Sequence, residues 1–184
     1  PGLNVLPPGV ERHIVNMGGL TGLQIFPDDK IEIINEEGNQ ICEIICFDKN
    51  GKSELGILNL KENSKKSFIK EILDNNDENS LITKLQLKKR NLNINKSKSS
   101  IVFDKHTPSG EKIKLVAKDK CYVIFSAPKN EMLISDQNPS SDLTIFIKRA
   151  KINKDKELSI IPDPVYDPSY EKIIDRQTCI SYQV

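Results

Sequence analysis

Hydrophobic positions in this chain recur mostly at a period of two, and the densest apolar material lies between Phe26 and Asp48 (FPDDKIEIINEEGNQICEIICFD). Lys30 to Asn35 alternates, with Ile31 and Ile33 on one face and Lys30 and Glu32 on the other, as a half-buried strand does. Gln40 to Phe47 is β-branched, aromatic and nearly all apolar, so it predicts a strand buried on both faces. Between them, Glu36-Glu37-Gly38-Asn39 suits a turn, because glycine takes positive φ freely and asparagine tolerates it. The two runs therefore read as a hairpin. Glu43 breaks the pattern: it shares a face with Ile41, Ile45 and Phe47, and must be paired, protonated or at an edge. A strand-end carboxylate reaching solvent is the preferred reading over a functional acid.

The flanking chain continues this pattern. Pro1 to Gly9 is a Pro- and Gly-rich arm, Val10 to Met17 a short strand, and Gly18, Gly19 and Gly22 mark turns. GGLTG lacks the spacing and the following helix of a phosphate-cradling loop. After the turn signal Asp48-Lys49-Asn50-Gly51, Glu54 to Leu60 reads as another strand. Ser64 to Leu73 predicts a helix with Phe68, Ile69, Ile72 and Leu73 as its apolar stripe and Ser64 as N-cap, ended by Asn75-Asn76-Asp77. Ser80 to Lys89 fits a helix or a strand equally. Ser100 to Asp104, Glu111 to Ala117, Cys121 to Ser126 and Asp142 to Arg149 are short strands between turn residues. The fold class expected is mainly β (α+β), an antiparallel β-sandwich or barrel-like domain with one or two short helices.

Toward the C-terminus, Ile161-Pro162-Asp163-Pro164 and Asp167-Pro168 look like a linker, and Ile173 to Val184 becomes strand-like again without a partner. The organisation expected is a β-rich domain over residues 1–160, with 161–184 as linker and first strand of a following domain. The start at Pro1 rather than Met and the end in mid-pattern lead to the expectation that the chain was processed or excised from a longer protein.

Composition narrows the function classes. Of 184 residues, 27 are basic and 26 acidic, leaving a net charge of +1 and no global field to steer the chain to nucleic acid or membrane. No apolar run approaches the roughly 20 residues that span a bilayer, and no signal peptide opens the chain. The 4 cysteines sit mostly in strand-like runs, as expected of a reduced cytoplasmic protein.

Candidate chemistry is sparse. Cys42 and Cys46 share a strand face, but lie roughly 13 Å apart at strand rise, too far for one zinc ion, so they read as core thiols. His13 has no neighbouring partner and reads as structural. Asp104 and His106 could pair as orienter and base, but no nucleophile adjoins them and a loop role is preferred. Lys84 to Lys98 is basic without interleaved aromatics, which favours solvated surface over a nucleic-acid patch. No catalytic, cofactor-binding or metal-binding residue is assigned.

Two segments together resemble the urea-amidolyase-associated (urea-carboxylase-associated) family. FPDDKIEIINEEGNQICEIICF is similar to its first signature, with Gly38, Gln40 and Glu43 at the core positions. SGEKIKLVAKDKCYVIFSAPKN is similar to its second block, where a strand runs into a turn carrying a metal-binding cysteine. This chain has Ala127 before Pro128 at that point and Glu43 where the family usually has Asp, and it lacks His-x-Cys and Ser-Cys-Arg segments for further thiolates. The resemblance thus implies a degenerate copy that keeps the fold without the metal site. RQTCISYQV looks like the lead-in to a second copy.

Tandem copies followed by a glycine-cleavage T-protein-like module occur in trimethylamine-N-oxide demethylases and aminomethyltransferase-like enzymes. By that resemblance the chain is an N-terminal, non-catalytic structural domain. The parent would split trimethylamine N-oxide into dimethylamine and formaldehyde, with zinc or iron and tetrahydrofolate as its cofactors. The partners implied are following domains of the same polypeptide, with homo-oligomerisation open. The alternatives are a free-standing β-fold module that binds a small ligand or a protein, and a complete metal enzyme built on Asp104, His106 and Cys121.

Overall fold

The alternating runs become strands and pair. The computed structural model describes residues 6–64, 67–74, 78–129 and 140–151, apart from the side chains of residues 78 and 79. Its strands are β1 (Val10–Val15), β2 (Gly19–Ile25), β3 (Lys30–Asn35), β4 (Cys42–Asp48), β5 (Ser99–Phe103), β6 (Glu111–Val116), β7 (Cys121–Ala127) and β8 (Leu143–Lys148). They form two four-stranded sheets, ordered β1-β8-β3-β6 and β2-β7-β4-β5. All neighbours are antiparallel. The chain changes sheet at almost every connection, which is the strand order of a jelly roll. The mainly β sandwich expected from the sequence is what forms.

The core lies between the sheets. Ile31, Ile33 and Ile145 from one sheet meet Ile44, Val123 and Phe125 from the other. A second, smaller cluster lies on the outer face of the β2-β7-β4-β5 sheet, where Ile45, Phe47 and Ile124 pack under Ile69, Ile72 and Leu87. These last three belong to the helices α1 (Phe68–Asp74) and α2 (Glu78–Lys89). That is why β4 is apolar on both faces: Cys42, Ile44 and Cys46 point between the sheets, and Ile45 and Phe47 point under the helices.

The expected hairpin does not form. β3 pairs with β6 and β8, and β4 pairs with β5 and β7, so the two strands lie in different sheets. The turn between them is real, with Gly38 at φ 81° and Asn39 at φ 58°. It turns across the sandwich, held by Asn39 N–H to Thr107 O and Gly110 N–H to Asn35 O, each 2.8 Å. A Cβ on Gly38 would sit 2.7 Å from Ser109 N, so that contact admits glycine alone.

Three further expectations change, and one open choice is decided. The strand read at Glu54 to Leu60 is a 3₁₀ turn over Leu55–Leu58, capped by Glu54 Oε1 accepting from Gly56 N at 3.2 Å. Leu55, Ile57 and Leu58 are all buried, which a period of two cannot achieve on one face, whereas a three-residue turn aligns Leu55 with Leu58. Gly22 is inside β2 rather than in a turn, because the Tyr122 ring from β7 lies across it. Ser64 bridges to Ser99 and does not cap a helix; α1 begins at Phe68. Ser80 to Lys89 is helical. The expected helix stop at Asn75-Asn76-Asp77, the linker near 161 and the last strand lie outside the described residues. Among the described residues no helix is long and apolar enough to cross a membrane.

Candidate functional site

The two signature segments meet in space, through Gln40. Its side chain is fully buried, and its Nε2 donates to Pro128 O and to Ile41 O, both at 2.9 Å. Its Oε1 accepts from Ser141 N at 2.9 Å, and its backbone carbonyl accepts from Asn35 Nδ2 at 2.9 Å. Ser141 Oγ in turn donates to Gly38 O at 3.3 Å. Gln40 thus fastens the β3–β4 crossing to the end of β7 and the approach to β8. It uses both amide N–H groups and its oxygen to do so, as a buried amide must.

Ala127 lies beside this latch, fully buried in the inter-sheet core, with its carbonyl accepting from Gly18 N–H at 2.6 Å. A zinc or iron site needs thiolate, imidazole or carboxylate donors at this point. The groups present are a methyl, two primary amides and a hydroxyl, and they are bonded mainly to backbone. This donor set does not fit such an ion. Among the described residues, no three His, Cys, Asp or Glu groups are placed to hold a metal.

Glu43 does not reach solvent. It is fully buried, on the outer face of β4 beneath the start of α1, where it accepts from Ile69 N–H at 2.7 Å. Burial pushes its carboxyl above the usual range, while hydrogen bonds from the Ile69 and Phe68 amides and the Ser99 hydroxyl pull it down without cancelling the rise. The acid that broke the strand pattern satisfies the otherwise orphaned amides of a helix start.

The remaining candidates separate. Cys42 and Cys46 are fully buried core thiols, as expected, and Cys121 is buried with them. The hydrogen bond to Cys121, followed by burial, drives the Cys46 thiol well above its usual pKa; burial does the same for Cys42. Asp104 Oδ1 accepts from His106 N at 2.8 Å and from the Thr107 hydroxyl, so it orders the turn after β5. Cys121 cannot join Asp104 and His106. Phe103 pairs with Cys42 at one end of β4 and Cys121 pairs with Asp48 at the other, roughly 20 Å away.

One constellation had no sequence signal. At the far end of the sandwich, Arg149 bonds Glu11 through Nε at 2.5 Å and Nη2 at 3.0 Å, and bonds Asp29 through Nη1 at 2.6 Å. Nη1 also donates to Gln24 O at 2.9 Å. Asp29 accepts from Phe26 N and Ala150 N, and His13 Nε2 lies 3.1 Å from Glu11 Oε2. Burial raises the Glu11 carboxyl, but hydrogen bonds from His13 and Arg149 outweigh it and hold the group below its usual value. All these donors and acceptors are matched, so the network ties β1, β2, β3 and β8 together rather than presenting a reactive group.

No protein-family model matches the chain. The chain is similar to the trimethylamine-oxide aldolase of Ruegeria pomeroyi, at 31% identity over 179 residues, which is 97% of this chain and 23% of that protein. It therefore spans about a quarter of the length of the relative it matches.

Proposed function

We propose that this chain is a non-catalytic structural domain of a larger trimethylamine-N-oxide demethylase (aldolase) polypeptide. The observation that carries the reading is the similarity to trimethylamine-oxide aldolase along 97% of the chain and only 23% of the relative. The geometry supports it: Gln40 holds the two signature segments together, while Ala127 places a methyl where the resembled family has a metal-binding cysteine. Trimethylamine N-oxide would be split into dimethylamine and formaldehyde elsewhere in that polypeptide. A tetrahydrofolate-binding module of the aminomethyltransferase type would then capture the formaldehyde. The buried free thiols Cys42, Cys46 and Cys121 are consistent with a reduced, cytoplasmic setting.

The test is to supply trimethylamine N-oxide to the 184-residue chain and to the native gene product, and to measure dimethylamine and formaldehyde. The reading expects both products from a native polypeptide several times longer and none from the chain alone. Dimethylamine from the chain alone would overturn it, as would a native product no longer than the chain. In the second case a small β-fold binding module would take its place.

A further inference from the structure

Helices on the outside of a protein bury their apolar side and show water the polar one. α2 does the reverse at every apolar position but Leu87, which packs into the outer cluster. Its buried residues include Ser80 at 0%, Thr83 at 4% and Gln86 at 6% exposure, whereas Leu81 is 47%, Ile82 38% and Leu85 50% exposed. Two of these buried polar groups have clear partners: Ser80 Oγ donates to Ile72 O at 2.9 Å, and Gln86 Oε1 accepts from the Tyr122 hydroxyl. The inward side is therefore settled, and the outward apolar side is left over.

At 100° per residue, Leu81 and Leu85 stand one turn apart on one line with Ile82 beside them. Lys84 and Lys88 edge that line on one side and Lys89 on the other. The Lys84–Lys88 edge opens into a groove of about 580 Å³ between α1, α2 and the 3₁₀ turn Ile94–Lys96, floored by Leu87, Leu92 and Ile94. Lys70 also lines it, against Asp74 as its one acidic residue. The surface is thus an aliphatic stripe with a cationic rim. Both features specify an occupant: an apolar face edged with carboxylates.

We propose that the α2 stripe and its groove are the docking surface for another domain of the same polypeptide, through an apolar face with an acidic edge. This rests on the reading of the chain as one domain of a longer protein, and on the aldolase relative, of which the chain spans 23%. Docking gives the stripe a cover that the described residues do not provide.

Hydrogen–deuterium exchange over residues 78–89 tests this, in the 184-residue chain and in the native gene product. The expected result is exchange at least roughly tenfold slower in the longer product, because docking suppresses local opening of the helix. Leu81→Lys with Leu85→Lys, and separately Lys84→Glu with Lys88→Glu, should each return α2 in the longer product to the rate seen in the chain alone. Circular dichroism of the same variants in the 184-residue chain should be unchanged, since these side chains point away from the core. Equal exchange in both proteins overturns the docking proposal and leaves the domain reading standing. Exchange in the isolated chain that slows as its concentration rises overturns it in favour of a second copy. A native product no longer than the chain removes the domain reading itself.

Discussion

A carboxylate inside a protein is tolerated where something answers its charge or keeps its proton on, and Glu43 does some of each. Its acceptor oxygen serves the Ile69 amide, while burial raises its pKa. Glu43→Gln keeps an acceptor of the same reach, whereas Glu43→Leu removes it and leaves the Ile69 amide buried and unbonded. Urea denaturation should show the leucine variant less stable by about 1–3 kcal/mol and the glutamine variant close to or above the parent at neutral pH. Because the folded carboxyl holds its proton to higher pH than the unfolded one, Glu43 favours the fold most below about pH 4.3 and loses that contribution as pH rises through the folded value. The stability difference should therefore move toward Glu43→Gln as pH rises from about 4 to 7. Arg149 poses the opposite problem. Arg149→Met strands two buried carboxylates, Glu11 and Asp29, at an expected cost of about 3–5 kcal/mol in the same measurement. Glu11 lies below its usual pKa, so its contribution is present above that usual value and lost as pH falls through the folded one. Arg149→Met should flatten this acid-side loss.

At the level of elements, strand identity is local but strand partnership is not. β5, β6, β7 and β8 were legible within a residue or two, because alternation and turn residues bound each of them. The link between β3 and β4 misled, since a Gly-Asn turn can reverse a chain within one sheet or carry it to another. Gly22 carries a related lesson. A Cβ there would sit 2.7 Å from Tyr122 Cζ, so the glycine is required by a ring on another strand. Gly22→Val raises β-propensity yet should lower the thermal midpoint, by an overpacking cost of about 1–3 kcal/mol, and should alter the near-ultraviolet tyrosine signal as Tyr122 leaves Gln86. An unchanged midpoint would show that the ring has room to move.

Across the whole molecule, the sheets close on each other through residues far apart in sequence: β1 pairs with β8 and β2 with β7. Such pairing leaves few ways to open one part alone, and it implies refolding on the millisecond-to-second scale of non-local β folds. The three described thiols provide the test, since Cys42, Cys46 and Cys121 are all buried in the inter-sheet core. An aromatic disulfide reagent should modify all three at one common rate, equal to that of global unfolding, and urea should accelerate them together. A thiol that reacts ahead of the others would place an independent opening at its end of the sandwich.

The sequence by itself determined where the chain is extended, where it turns, and that β4 must be covered on both sides, because side-chain period and backbone propensity act over a few residues. It also contained the two segments whose resemblance led to the proposal of a demethylase scaffold, though not that Gln40 would join them. Only the tertiary structure decided the sheet each strand enters, the burial of Glu43 under α1, the Arg149 network and the outward apolar face of α2. Each depends on which distant residue arrives alongside. A carboxylate, a guanidinium or a leucine reads the same in one dimension whether its neighbour in space is water, an amide or another side chain.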